Sequence, residues 1–363
     1  MGLRLLATSR LAAIPLFGLL IPALFLTMAG ASGQGDSSPQ SVTVSQYTYS
    51  EPWKQEVDLY LQQNGFNGTV LIAREGEVLF SSGYGKETES TTNSEQTVFR
   101  LMSMSKPFTA TAIMQLEEQN RLELTDTLDQ YVPDFLNGDQ ITIHHLLSHS
   151  SGIPRDFPRV LNATLQQTVD SIKSRSLDFT PGTQYNYSNS GYVVLASIIQ
   201  TVSGQSYEQY MQDHLFGPLG MTHSGESLLP TDTMPHKAAG YRKNSAGTAL
   251  IAAPFFVTQS GGGSLYSTVG DLLLWDRALY GNTVLQQSSI AKMFTPNLGN
   301  YGYGWSIRPK RGNVVVHNGS GNGFSTFIYR NLDSETLVVV LSNVTDVAAE
   351  QIGFDLAAKI PPG

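Results

Sequence analysis

Apolar positions along the chain fall into blocks with two different periods. Over 53–63, Trp53, Val57, Leu59, Tyr60 and Leu61 recur among charges at helical spacing, and Asn64-Gly65 supplies the stop. Two β-rich runs follow at 68–74 and 77–84, parted by Glu75-Gly76, a short hairpin signal. Over 106–119, Phe108, Ala112, Ile113 and Leu116 return to helical spacing, and this helix would carry Ser103 at its first turn. The middle of the chain is predicted mostly helical, over 142–148, 165–174, 190–202 and 205–214, with Gly152 and Gly204 as stops. Gly261-Gly262-Gly263-Ser264 then introduces a helix through Leu272, Leu273, Leu274 and Trp275, and its glycines permit close backbone approach. From 304 onward the pattern changes to strands at 304–308, 313–316, 325–330 and 336–341, followed by a closing helix over 348–359. Strands at both ends around a helical middle predict an α/β (α+β) fold. One antiparallel sheet would be built from both chain ends and flanked by helices, with a mostly helical lobe inserted and a cleft between the lobes.

The first residues carry a different message. Arg4 and Arg10 form a basic start, Leu11 to Met28 is apolar and uncharged, and Ala29-Gly30-Ala31 offers small residues at a cleavage point, so residues 1–31 read as an export signal. The apolar run is near the length that spans a bilayer, which keeps an uncleaved N-terminal membrane anchor as the alternative. Residues 32–50, rich in Ser, Gly, Gln and Thr, read as a disordered linker, and 51–360 as the folded domain. The expected address is exported, periplasmic or extracellular.

Composition removes several classes of chemistry. With no cysteine, disulfides, thiolate catalysis and thiolate metal sites are excluded. The net charge of −8 gives no basic surface that would invite nucleic acid. Asn-x-Ser/Thr sequons occur at Asn67, Asn162, Asn186, Asn318 and Asn343, but two of them adjoin the chemical motifs described next, where a glycan would obstruct a cleft.

Those motifs are Ser103-Met104-Ser105-Lys106, Tyr187-Ser188-Asn189 and His317-Asn318-Gly319. A serine three residues before a lysine shares its helical face, so the amine can reach the hydroxyl and help remove its proton. Ser105 is a competing hydroxyl, but one residue from Lys106 it would be turned away. His144, His145 and His149 cluster around a predicted helix, with two of them four residues apart, yet no glutamate lies between them as in a zinc-protease helix. Neither a metal nor any other cofactor is expected. Tyr303, Gly304 and Trp305 are candidates either for the cleft wall or for aromatic core.

In order and type the three motifs resemble those of the serine β-lactamase and penicillin-binding protein superfamily: S-x-x-K, Y-x-N or S-x-N, and K-T-G or H-x-G. Leu146-Leu147-Ser148-His149-Ser150-Ser151-Gly152-Ile153 and Phe179-Thr180-Pro181-Gly182 add to the likeness, which covers roughly 55–358. Tyrosine in the second motif and histidine in the third resemble the class C-like branch of D,D-peptidases, D-aminopeptidases and esterases. There is no Glu-x-x-Leu-Asn segment of the class A kind. The resemblance implies an exported serine hydrolase working through an acyl-enzyme, D,D-carboxypeptidase- or D-peptidase-like. A carboxylesterase and a class C-type β-lactamase are alternatives, and a β-lactam-binding sensor or scaffold without turnover is the alternative of another class. Its partner would be a small-molecule or peptide acyl substrate, such as a cell-wall peptide or a β-lactam.

The implied roles follow the motifs. Ser103 is the nucleophile and its own N–H one oxyanion donor, with the Ser320 N–H as the other. Lys106 and Tyr187 are the candidate bases, and the sequence does not decide which takes the first proton. Asn189 would hold the substrate's acyl amide and the lysine, and His317 would face the cleft to bind a substrate carboxylate or tune Tyr187. Gly319 would let the strand lie flat against substrate. His149 is expected to be structural.

Overall fold

Both ends of the domain meet in one sheet because each contributes strands that are apolar on both faces. The computed structural model describes residues 51–158, 163–226, 233–254 and 260–362, so the expected signal (1–31) and linker (32–50) lie outside the described residues. Strands β1 (Gly68–Arg74) and β2 (Glu77–Tyr84) form a hairpin, with Glu75 (φ 53°) and Gly76 (φ 88°) both left-handed at the turn, as a tight two-residue connection requires. Short strands β3 (Phe99–Arg100), β4 (Gly225–Glu226), β5 (Tyr241–Lys243), β6 (Leu250–Ala252) and β7 (Leu265–Ser267) follow, and β8 (Ser306–Ile307), β9 (Val314–Gly321), β10 (Phe324–Asn331) and β11 (Thr336–Ser342) complete the set. The main sheet runs β2-β1-β11-β10-β9-β8, antiparallel throughout. Two smaller sheets, β3-β7-β4 and β5-β6, were not foreseen in the sequence.

The period of two distributes each main strand between two cores. Val70, Ile72, Val314, Val316, Phe327, Val338 and Val340 face helices α1 (Pro52–Gln63) and α10 (Ala349–Lys359). Their neighbours Leu71, Ala73, Val315, Ile328, Leu337, Val339 and Leu341 face the larger helical core. A one-residue slip would move each set of side chains into the other core, against helices it is not shaped to fit, so packing on both faces fixes the register.

The helical lobe comprises α2 (Lys106–Glu118), α3 (Ile143–Leu147), α4 (Leu165–Lys173), α5 (Asn189–Ser203) and α6 (Tyr207–Met211), with α6 running through a wide turn into α7 (Gly217–Leu219). Helices α8 (Val269–Ala278) and α9 (Gln287–Phe294) follow before the final strands. Helices α2 and α5 pack together at the centre, and α2 is buried from Lys106 to Met114 on every face. Three differences from the sequence reading lie beside a left-handed residue. Ser103 lies in a separate 3-10 turn, Met102–Ser105, entered through Met102 at φ 53°, and not in the first turn of α2. Helix α3 stops at Leu147 because His149 adopts φ 58°. Strand β8 begins only at Ser306, after Gly304 at φ 78°. The expected strand over 313–316 instead continues to Gly321, so His317 to Ser320 are strand residues.

One buried ion pair ties α8 to the sheet. Arg330 Nε donates to Asp276 Oδ1 at 2.5 Å and Nη2 to the Asp276 carbonyl at 3.3 Å, with Tyr280, Phe294 and Trp305 rings around the guanidinium. Removing one partner leaves a buried charge uncompensated. Asp276→Ala is therefore expected to lower stability by about 3–5 kcal/mol, whereas Arg330→Met with Asp276→Leu should cost much less; urea denaturation of the three proteins measures the contrast.

Candidate active site

The turn that carries Ser103 is clamped from three sides. Leu101 N–H donates to the Leu265 carbonyl at 2.8 Å, and the Thr326 hydroxyl donates to the Leu101 carbonyl at 2.8 Å. Ser105 is buried and spends its hydroxyl inside the turn, accepting from Leu265 N–H (3.0 Å) and donating to the Met102 carbonyl (2.8 Å). Ser103 is partly accessible, which separates the two hydroxyls by role. Gly319 completes the clamp: a Cβ there would stand 2.3 Å from the Leu101 carbonyl oxygen and 2.5 Å from Thr326 Oγ1. The turn behind the strand by itself requires glycine here.

Lys106 opens α2 and its side chain has no exposure to solvent. Its Nζ lies 3.2 Å from Ser103 Oγ, 2.8 Å from Asn189 Oδ1 and 2.7 Å from the Gly262 carbonyl. The glycine run is what permits that last approach, since a Cβ at Gly261 would stand 2.4 Å from the Tyr192 carbonyl. Burial holds the amine well below its ordinary value, Arg155 adds to the shift and Asp156 opposes it. Asn189 begins α5 just after Ser188, whose hydroxyl accepts from Gly191 N–H at 3.0 Å as N-cap. The Asn189 amide nitrogen donates to Asp156 Oδ1 at 2.7 Å.

Tyr187 also stands beside Ser103, which acts on its phenol. Its ring lies 4.8 Å from Lys106 Nζ, 4.3 Å from the His149 ring and 6.4 Å from the His317 ring. Burial pushes the phenol upward despite the opposing effect of Ser103. His149 is structural as expected: buried, it accepts the Ser188 N–H on Nδ1 at 3.1 Å, and burial with nearby Lys106 keeps it neutral.

His317 differs from expectation. It is buried, its Nδ1–H donates to the Asn318 carbonyl at 2.8 Å, and its Nε2 accepts from Tyr301 OH at 2.9 Å. Burial and Lys106 push it down to about 3, so a neutral ring with both nitrogens occupied holds this place, and no cation is presented to a carboxylate. Ser320 is exposed on the stretch of β9 beyond the β8 pairing, which covers only Val315 and Val316, and β9 packs against the Ser103 turn.

Other expectations resolve into packing. His144 Nδ1 pairs with Tyr303 OH at 2.7 Å, and His145 Nδ1 accepts the Thr142 N–H in a capping box. Among the described residues no group of three or more His, Cys, Asp or Glu could hold a metal ion. Trp305 stacks on Trp275 at 5.6 Å, and Gly304 presses on α2 at Pro107, so this segment is core. The sequence reading missed Asp156, Tyr301 and the Gly262 carbonyl. Asp156 lies two residues beyond the Ser151-Gly152-Ile153-Pro154 stretch, after Arg155, and only the glycine run signalled a close approach.

Comparison with known proteins finds relatives over most of the chain. A sequence model described as Beta-lactamase matches residues 53–359. The putative penicillin-binding protein PbpX of Bacillus subtilis is 34% identical over 297 residues, 81% of this chain and 75% of that protein. Penicillin-binding protein 4* of the same organism is 34% identical over 83% of this chain and 75% of its own length. The octameric penicillin-binding protein homologue from Pyrococcus abyssi superposes with a TM-score of 0.76 at 27% identity, covering 84% of this chain and 76% of that one.

Gly319→Ala tests the clamp: the added methyl should displace the Ser103 turn and lose most acylation in a labelling assay. Ser105→Ala should cost about 1–3 kcal/mol of stability, from two buried groups left unpaired, while Ser103 remains reactive.

Proposed function

The chain belongs to the Beta-lactamase family, and from that premise we propose that it is an exported acyl-enzyme hydrolase of the D-peptidase kind, with Ser103 as nucleophile, Lys106 as its base and Tyr187 as proton donor to the leaving group. The observation that carries this reading is the bonding of the Lys106 amine. A neutral amine has two N–H groups and one lone pair; Asn189 Oδ1 and the Gly262 carbonyl take the two N–H groups, so the lone pair is directed at Ser103 Oγ. Burial favours the neutral form. Tyr187 is held in the opposite sense, as an intact phenol, which suits a donor better than a base.

The steps balance. Ser103 Oγ gives its proton to Lys106 Nζ and bonds the acyl carbon, whose oxygen takes up the negative charge beside the N–H groups of Ser103 and Ser320. Collapse breaks the bond to the leaving group, which takes the Tyr187 proton, and the Lys106 ammonium restores the phenol. Water then repeats the sequence against the Ser103 ester. Peptides ending in D-residues are the proposed substrates, because relatives are named for penicillin binding and β-lactams share the acyl chemistry.

A carboxylesterase is the second reading, favoured by one observation. His317 offers no cation to a substrate carboxylate, and the partly exposed Tyr185 (37%) and Leu298 (44%) give apolar surface near the site, where Gly299 packs on the Tyr185 ring. Rates on a D-alanyl peptide and on a short-chain ester separate the two readings.

Intact-mass analysis with a penicillin should show one adduct on wild type and none on Ser103→Ala, since a covalent nucleophile accounts for orders of magnitude of rate. An adduct retained on the variant would remove Ser103 from its role.

The pH dependence follows from the two shifts. Lys106 is active when neutral, so kcat/KM should be low in acid and rise through a lysine value below the ordinary 10.5. Because the phenol is held above 10.0, no alkaline fall from Tyr187 is expected below that pH. Tyr187→Phe should lower turnover by about 10²-fold while leaving the acid limb, measured as kcat/KM against pH.

A further inference from the structure

The loop that follows α3 brings two charged residues to the mouth of the site. Arg155 and Asp156 are fixed against the start of α5, with the Asn189 and Ser190 N–H groups donating to the Arg155 carbonyl at 2.8 and 3.2 Å and Arg175 donating to the Asp156 carbonyl. The Arg155 guanidinium approaches Asp156 only to 3.7 Å, whereas Asn189 Nδ2 reaches Asp156 Oδ1 at 2.7 Å. The shorter contact identifies the side chain that Asp156 serves.

That contact settles an orientation. An ionised carboxylate accepts hydrogen bonds and donates none, so the Asn189 amide must turn its NH2 toward Asp156 and its oxygen toward Lys106. Reversed, the amide would set its oxygen against the carboxylate and its N–H groups against the Lys106 amine. The oxygen that reaches Lys106 Nζ at 2.8 Å is therefore selected by a residue that touches neither Ser103 nor Lys106. With Asn189 in this sense, the amine lone pair faces Ser103; with the amide reversed, it would be drawn toward Asn189.

We propose that Asp156 is a positioning residue, which fixes the Asn189 amide and through it aims the Lys106 amine at Ser103. This rests on the acyl-enzyme reading above and extends it by one residue that none of the three motifs contains. The charged environment of the amine is compact. Arg155 and Asp156 carry the opposing charges, His149 and His317 are neutral, and Tyr187 and Tyr192 keep their protons. Asp156 thus does two things: it orients an amide, and it partly offsets Arg155 at Lys106.

The test uses the whole chain and kcat/KM on one activated ester across pH, with Asp156→Ala, Asp156→Glu, Asn189→Ala and the double variant Asp156→Ala/Asn189→Ala. A misaimed base costs about 10²-fold, so Asp156→Ala should lose on that order, and Asp156→Glu, which keeps an acceptor without donors, should recover most of it. Losing the negative charge disfavours the ammonium, so the acid limb of Asp156→Ala should move to lower pH. Once Asn189 is gone Asp156 has no amide to orient, so the double variant should lose no more than about threefold beyond Asn189→Ala. Wild-type rates in Asp156→Ala, a fall with an unmoved acid limb, or additive losses in the double variant would each overturn the inference. Ser103→Ala in the same assay separates the two levels of argument. If it stays active the acyl-enzyme reading fails, whereas a dead Ser103→Ala beside a fully active Asp156→Ala overturns the role of Asp156 alone.

Discussion

An ammonium removed from water at the start of a helix bears two penalties, desolvation and the unfavourable positive end of the helix, and a lysine there persists as a neutral amine only where acceptors meet its N–H groups. Lys106 satisfies that condition, and much of the surrounding architecture follows from it. Its acceptors come from distant stretches of chain, Asn189 at the start of α5 and the Gly262 carbonyl before β7, so the amine is secured only when both pack onto α2. The hydroxyl of Ser103, three residues earlier, is then the group left beside its lone pair.

The sheet supplies the remaining constraint. The turn carrying Ser103 is strained at Met102, a left-handed residue with a long side chain, and such a backbone persists only where neighbours over-determine it. Ser105, Leu265 and Thr326 bond to this turn, and Gly319 lets β9 press against it. Strands from the C-terminal part of the chain thus hold Ser103, which belongs to the first third. That is a physical reason for a sheet closed by both ends of the domain.

Which features were legible in the sequence follows from how local their causes are. Strand alternation and the Glu75-Gly76 turn depend on neighbours in sequence, and both were readable. Ser103, Lys106, Tyr187 and Asn189 were readable because their chemistry forces residue types at short fixed spacings, and the structure brings them together. The state of His317 was not readable: its partner Tyr301 lies sixteen residues away across a turn, and the strand that buries it runs five residues beyond the apolar run that announced it. Asp156 escaped notice for the same reason, since only the folded loop sets it against Asn189. The three-residue strand β7, which carries the bonds to the nucleophile turn, is too short to leave a periodic signal.

The protonation pattern of the site has one cause and a chemical consequence. Burial moves Lys106 down and Tyr187 up, so it favours the uncharged form of both. In the proposed acyl-enzyme mechanism, proton transfer from Ser103 then creates an ammonium and an oxyanion within a few ångströms of each other, a pair stabilised by the same low dielectric that disfavours either ion alone. The carboxylate that acts on the amine, Asp156, is already bonded to Asn189, so in that proposal the pair that formed the ester also activates the water that cleaves it. That water has to reach the space between Lys106 and Tyr187. The size of the acyl group left in that space, more than the basicity of either residue, then governs how fast the enzyme is released.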